Sequence, residues 1–190
     1  MMSDPTIVNT IPMAEGRFLK LELREYVDST GVRRKWEAAQ RQKAQAAVFI
    51  IATLQPSGRV VLIRQFRVPV GHFCLEAPAG LIDDGETPGQ AAARELLEET
   101  GYIGRVEWTG PASASSAGLT GEMVTTVFMT VDETLPENNK PVARPDEGED
   151  IEVIILPIAE LGMFFKERIA AGDVPDSRLV AWALGLGIRW

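Results

Sequence analysis

Gly80-Leu-Ile-Asp-Asp-Gly-Glu86 and, after seven intervening residues, Arg94-Glu-Leu-Leu-Glu-Glu-Thr-Gly101 decide how this 190-residue chain is read. Between them, Thr87-Pro88-Gly89-Gln90 offers a hydroxyl cap, a proline with φ preset for the first helical turn, and a glutamine able to close a capping box. A helix therefore starts near Pro88. Strong helix formers run from Gln90 to Glu99, and Gly101 stands where a left-handed residue commonly ends a helix. Residues three and four apart are neighbours on such a helix, so Glu95, Glu98 and Glu99 crowd their carboxylates on one side. Such a cluster repels itself unless something positive lies within it. Arg94 supplies part of that charge, and a hard divalent cation such as Mg2+ suits the rest, because it takes oxygen ligands and keeps waters and phosphates as further ones. Ala77-Pro78-Ala79-Gly80, just ahead, can add a backbone carbonyl to the same ion. The competing reading is an acidic helix face that is simply solvated.

The whole spacing resembles the signature of the Nudix hydrolases, metal-dependent enzymes that cleave diphosphates linked to another moiety. Tyr102 stands where the family pattern has an aliphatic residue, and its ring fills the same apolar slot.

Composition agrees with a compact enzyme: 45% hydrophobic and 24% charged residues allow a sizeable core and leave room for one domain plus an appendage. Cys74 is the single cysteine, which excludes an internal disulfide. With no basic region followed by an apolar run at the N-terminus, a cytoplasmic location is expected. No apolar run approaches a membrane span, and a net charge of −8 argues against nucleic acid as the main partner. An anionic substrate must then be attracted locally, by metal and a few placed arginines.

Alternation and turn residues predict a mixed α/β fold. Residues 18–26 alternate, Asp28-Ser-Thr-Gly31 reads as a turn, and residues 32–38 return, giving an N-terminal hairpin. Residues 47–54 and 60–66 around Gln55-Pro-Ser-Gly58 form a second hairpin, apolar enough to be central. Further strands are expected near residues 74–77, 103–108, 124–131 and 151–156, and helices over 159–171 and from Asp176 to about Leu186. The Pro-, Asn- and acid-rich stretch 133–150 reads as a long loop. The expected organisation is an N-terminal hairpin region, 1–45, and a hydrolase domain, 46–190.

The resemblance extends from Glu15 to about Gly187 and is to the ADP-sugar pyrophosphatases, the branch that includes ADP-ribose pyrophosphatase. It is carried by Leu75-Glu-Ala-Pro-Ala-Gly-Leu-Ile-Asp-Asp-Gly-Glu-Thr-Pro88, Ser116-Ala-Gly-Leu-Thr120 and Glu147-Gly-Glu-Asp-Ile-Glu-Val153. It implies an α/β/α sandwich with a mixed sheet, and a homodimer whose N-terminal hairpins are exchanged or packed across the two-fold. The implied reaction is Mg2+-dependent hydrolysis of ADP-ribose to AMP and ribose 5-phosphate, with Mn2+ as a possible substitute. Glu95, Glu99 and the Ala79 carbonyl match the family's metal ligands, with Glu98 contributing ligand or water contacts. Glu86 and Arg94 are expected to brace loop and helix as an ion pair. Glu149 matches a glutamate on a mobile loop that acts as general base or orients water. Its acidic neighbours Glu147, Asp150 and Glu152 leave the register of that role open, and a solvated loop is the alternative.

Along the first strand Leu19, Leu21 and Leu23 form an apolar face and put Phe18 on the opposite one. Phe18 and Trp36 match the aromatics that sandwich adenine across the dimer interface in the resembling enzymes, although the family more often has tryptophan at the first position. The alternative is that both merely pack that interface. Glu37 can accept from the adenine amino group, while Arg41 and Arg67 match arginines near the diphosphate or terminal ribose and equally suit surface ion pairs. His72 and Cys74 read as structural, and Trp108, Trp182 and Met163 as core or interface. Ser115-Ser116-Ala117 replaces residues that lie near the terminal sugar in the family, so GDP-mannose, other nucleoside diphosphate sugars and oxidised nucleoside diphosphates stay open as substrates. A sensor that binds ADP-ribose without turnover is the alternative of a different class.

Overall fold

A computed structural model of the protein describes residues 3–43, 46–146 and 148–190. The chain divides into two compact units, Met1–Ala47 with Ala112–Thr125, and Val48–Pro111 with Thr126–Trp190.

The first unit is built on an antiparallel sheet of three strands, β1 (Thr6–Glu15), β2 (Leu19–Val27) and β3 (Arg33–Arg41), with β2 central. The expected hairpin is β2 and β3. Asp28 makes its turn: its carboxylate accepts from the Thr30 and Val32 N–H groups, and these bonds with the Thr30 hydroxyl and Arg34 hold its pKa well below the usual range. β1 was not anticipated. Its polar and proline-interrupted sequence gives no clean alternation, and two register shifts against β2 show why the periodicity is broken. The expected apolar face exists by parity, but Leu19 is exposed and Leu21 and Leu23 are only half-buried. The opposite face is the covered one, with Glu22, Ala38 and Gln40 buried.

The second unit is organised on a sheet ordered β11-β6-β5-β4-β9-β8, where β4 is Ala46–Gln55, β5 Arg59–Arg67, β6 His72–Glu76, β8 Arg105–Ala114, β9 Met123–Asp132 and β11 Val174–Pro175. Two more strands join it, β7 (Ala79–Leu81) on β4 and β10 (Ile151–Pro157) on β5. Residues 48–52 of β4 and 60–63 of β5 are buried without alternation, as strands covered on both faces must be. One face packs Val48, Ile50, Ala52, Leu54 and Val61 against Ala91, Ala92 and Leu96 of the helix α1 (Pro88–Thr100). The helices α2 (Leu161–Ala170) and α3 (Ser177–Gly185) contribute the fully buried Leu161, Phe165, Leu179 and Ala183, and the Arg178 guanidinium lies 4.7 Å over the Phe49 ring. Asp176 caps α3, accepting from the Arg178 and Leu179 N–H groups.

One detail of the sheet positions the site. β10 lines one edge of β5 along Arg59–Gln65, whereas the other edge pairs with β4 at Arg59–Val61 and with β6 only from Ile63 onward. The sheet therefore parts between β4 and β6. The segment leaving β6 crosses that gap into β7, with the Pro78 carbonyl accepting from Ile50 N–H, and carries Glu76 to Gly80 towards α1. Strands β7 and β11, of three and two residues, are too short to leave a periodic signal in sequence.

Candidate active site

The capping box predicted for α1 is present: the Thr87 hydroxyl accepts from Gln90 N–H, and the Gln90 side chain accepts from Thr87 N–H at 2.9 Å. At the other end Gly101 adopts φ 76°, and its N–H donates to the Leu97 carbonyl. Between these stops the helix buries Ala91, Ala92 and Leu96, and that choice of face fixes where the glutamates go.

Glu95 and Glu99, one turn apart, lie on the side facing the crossing segment. Glu99 is only 3% exposed and accepts from Ala79 N–H at 3.0 Å. Burial pushes its pKa up to about 8. The Ala79 bond opposes that rise, and the charges of Glu95 and Glu149 add to it. Burial also raises Glu95, against the bond from Arg94. Gly80 explains how the two elements approach so closely: a Cβ there would stand 2.0 Å from the Glu95 carboxylate. Glu98 lies at the more exposed rim.

Arg94 ties this cluster together. Its Nε and Nη2 each donate to Glu86 at 2.9 Å, Nη1 donates to Glu95 at 2.8 Å and Glu98 at 3.1 Å, and Nη2 also reaches the Leu81 carbonyl at 2.9 Å. The expected brace between loop and helix is thus in place. Arg94 brings Glu86 down to about 2, and the Glu86 bonds raise Arg94 in turn.

Arg67, at the end of β5, donates through Nε and Nη2 to both oxygens of Glu76. Burial works against the guanidinium charge, but Glu76 outweighs it, and the fields of Glu99 and Glu149 raise Arg67 further. Glu149 is therefore within electrostatic reach of Arg67, Glu95 and Glu99. Asp146 N–H donates to the Glu149 carboxylate at 3.4 Å and Glu149 N–H to the Asp146 carbonyl at 3.0 Å. Glu147 lies outside the described residues.

Among the described residues no three acidic, His or Cys side chains form a ready-made metal cage. The donor set still fits a hard divalent cation: two carboxylates one turn apart, Glu99 buried and Glu95 half-buried against Ala79 and Gly80, with the remaining ligands left to water and phosphate. The Gly80 cradle that admits the Glu95 carboxylate supports the same fit.

The other predicted residues belong to the first unit. Trp36 is 54% exposed, yet its Nε1 donates to the Gly118 carbonyl at 3.0 Å, which fixes the ring beside the loop Ser115–Glu122. That loop is clamped to β3 by the bond from Ala39 N–H to the Leu119 carbonyl and from Gly121 N–H to Gln40. A cavity of about 260 Å3 lies there, lined by Arg24, Tyr26, Trp36, Gln40 and residues 117–121 among others. Phe18 is 70% exposed, with the Arg17 guanidinium 5.0 Å over its ring. Arg41 pairs with Glu122, and Glu37 is exposed opposite Leu23. Within one chain Phe18 and Trp36 are far apart: Trp36 faces Arg24 and Gln42 N–H donates to the Phe18 carbonyl, a separation of roughly 20 Å along the strand.

Of the residues set aside, Cys74 and Tyr102 are buried, while Trp108 and Met163 are exposed in the single chain and so are not core. Glu76 was missed. A lone acid inside the apolar run Cys74-Leu75-Glu76-Ala77 is the signal that could have found it, because a buried carboxylate requires a partner.

The carboxylate helix, its cap and the segment crossing the parted sheet define a class, and comparison of the sequence agrees: the NUDIX domain matches residues 43–182, so the chain belongs to the Nudix hydrolase family. It is 41% identical over 156 residues to the ADP-sugar pyrophosphatase of Mus musculus, covering 78% of this chain and 72% of that protein. It is 38% identical over 135 residues to the ADP-ribose pyrophosphatase of Saccharomyces cerevisiae, 67% of this chain and 58% of the relative. The crystal structure of an ADP compounds hydrolase matches with a TM-score of 0.69 at 26% identity, covering 98% of this chain and 93% of that one. The mixed α/β architecture expected from the sequence is thus the family's own.

Proposed function

We propose that the protein hydrolyses the diphosphate of ADP-ribose and related ADP-sugars, using Mg2+, as a cytoplasmic homodimer. The observation that carries the reading is the pair Glu95 and Glu99, one turn apart against Ala79 and Gly80, with Glu99 buried and Glu95 half-buried. Glu95, Glu99 and the Ala79 carbonyl would hold the metal, with Glu98 contributing ligand or water contacts. Bound there, a divalent cation neutralises phosphate oxygens and lowers the pKa of water. Arg94 keeps Glu95 and Glu98 in place by hydrogen bonds, and Arg67 offers the donor edge that Glu76 leaves free to a phosphate oxygen. Glu149, released from Asp146 when its loop closes, takes the proton of the attacking water. The water oxygen bonds to phosphorus as the bridging P–O bond breaks, giving AMP and ribose 5-phosphate.

Phe18 and Trp36 stack on adenine from two chains, a reading supported by their separation within one chain. Glu37 accepts from the adenine amino group, and Arg41 approaches the diphosphate or ribose. The N-terminal region, 1–45, accordingly serves dimerisation and base recognition, and 46–190 the chemistry.

The test is a turnover panel of ADP-ribose, ADP-glucose, GDP-mannose and an oxidised guanosine diphosphate, with and without Mg2+ and with products separated chromatographically. AMP from ADP-ribose as the fastest reaction is expected. A faster GDP-mannose or oxidised guanosine reaction would overturn the substrate, and binding of ADP-ribose without turnover would overturn the hydrolase.

A further inference from the structure

Two opposite charges beside the carboxylate helix are each held by a separate anchor on one short segment. Glu76-Ala77-Pro78-Ala79 crosses the gap between β6 and β7. At its start the Glu76 carboxylate takes the Nε and Nη2 of Arg67; at its end the Ala79 N–H takes the carboxylate of Glu99 at 3.0 Å. Arg67 and Glu99 are close enough to feel each other's charge, yet no hydrogen bond joins them among the described residues.

We propose that Glu76 is a positioning residue for the metal site: by holding the Arg67 guanidinium it keeps that cation from pairing with Glu99, and so leaves Glu99 open to a divalent cation. This rests on the metal-dependent reading above.

The physical argument is one of competition. Glu76 is 7% exposed, and a buried carboxylate is retained at a cost unless it is paired. Arg67 is partly buried too, so removing Glu76 leaves a partly desolvated guanidinium on a flexible stem without its counter-charge. The carboxylates whose fields reach it are Glu99 and Glu149. A guanidinium that forks onto Glu99 would occupy the oxygen lone pairs a metal needs. Held instead by one edge on Glu76, it balances the acidic cluster through space without taking up its ligands. The role is therefore expressed entirely through Arg67, which makes it separable from a merely stabilising ion pair.

Mn2+ binding, read as the loss of free Mn2+ signal in electron paramagnetic resonance, tests this without turnover. Wild type, Glu76→Gln, Arg67→Met and the double variant are compared, with circular dichroism to establish folding. Glu76→Gln is expected to bind Mn2+ about tenfold more weakly, as when a modest ion pair competes for a ligand. Arg67→Met alone binds as wild type or tighter, and the double variant regains wild-type affinity. If Glu76→Gln does not fold, Glu76→Asp takes its place, weakening binding less and again reversed by Arg67→Met. Unchanged binding in Glu76→Gln, or a double variant as weak as the single, overturns the positioning role. In either case loss of binding in Glu99→Gln leaves the metal reading standing. No Mn2+ binding by the wild type overturns both.

Discussion

As the proposed metal ligand, Glu99 combines two demands that oppose each other at the scale of one residue: burial favours its protonated form, and a metal ligand must be ionised. Its folded pKa of about 8 lies above the ordinary 4.5, so between those values the folded chain holds a proton that the unfolded chain has released. In metal-free protein, stability from this group therefore falls as pH rises from 4.5 towards 8, and it is flat above. Mn2+ must displace the same proton, so its affinity should rise up to about tenfold per pH unit until about 8. Titrating Mn2+ binding against pH checks this, and a pH-independent affinity would remove Glu99 from the ligand set. Glu99→Gln should also lower turnover by more than the roughly 10–100-fold that outer-shell partners cost. The role proposed for Trp36 differs, because a stack on the base is present in ground state and transition state alike. Trp36→Ala should raise KM for ADP-ribose with kcat nearly unchanged, and steady-state kinetics in which KM stays put would refute the stack.

Helix α1 was legible in sequence from end to end, because its stops are local chemistry: a hydroxyl, a proline, a glutamine and a glycine within a few residues of the boundaries. What its glycine also does could not be read. Besides its φ of 76°, Gly101 lies under the segment entering the 141–150 loop, where an added Cβ would stand 2.3 Å from the Val142 nitrogen. Two residues on, Arg144 N–H caps the free Glu98 carbonyl at 2.7 Å. The last turn of α1 thus anchors the segment that leads to Glu149, through a contact 41 residues distant in sequence (142 less 101) that no spacing reveals. Gly85 has a similar φ of 87° with open space around it. Gly85→Ala should cost only backbone strain, about 1–2 kcal/mol, and Gly101→Ala clearly more. Thermal melts of the two variants decide it: equal losses would mean that the segment does not dock on Gly101. The strands follow the same rule. β4 and β5 announce themselves by unbroken apolar runs, whereas β1, with its register shifts, depends on pairing that local pattern does not encode.

The residues of the proposed chemistry are divided between the two units. Glu76, Arg67, the helix carboxylates and Glu149 belong to the larger, and Phe18, Trp36, Glu37 and Arg41 to the smaller. Both units expose apolar side chains, but in the smaller they gather on one sheet: Ile7, Val8, Ile11, Met13, Phe18 and Leu19 are exposed, as is every residue of β1. So much apolar surface on a three-stranded sheet is what a partner surface looks like. In the proposed dimer a second copy of the chain covers it and also supplies the second aromatic that one chain cannot bring to the base. Ile11 and Leu19 are exposed, so glutamates at both positions disturb little within the chain itself. Light scattering should give the mass of two chains for the wild type and of one for the Ile11→Glu/Leu19→Glu variant. If the smaller units assemble the base site between two copies, that variant loses affinity for ADP-ribose while Mn2+ binding, which needs only residues of the larger unit, stays as it was. A wild-type mass of one chain, or a monomeric variant with an unchanged KM, would return Phe18 and Trp36 to the exposed surface of a single subunit and confine recognition to the diphosphate.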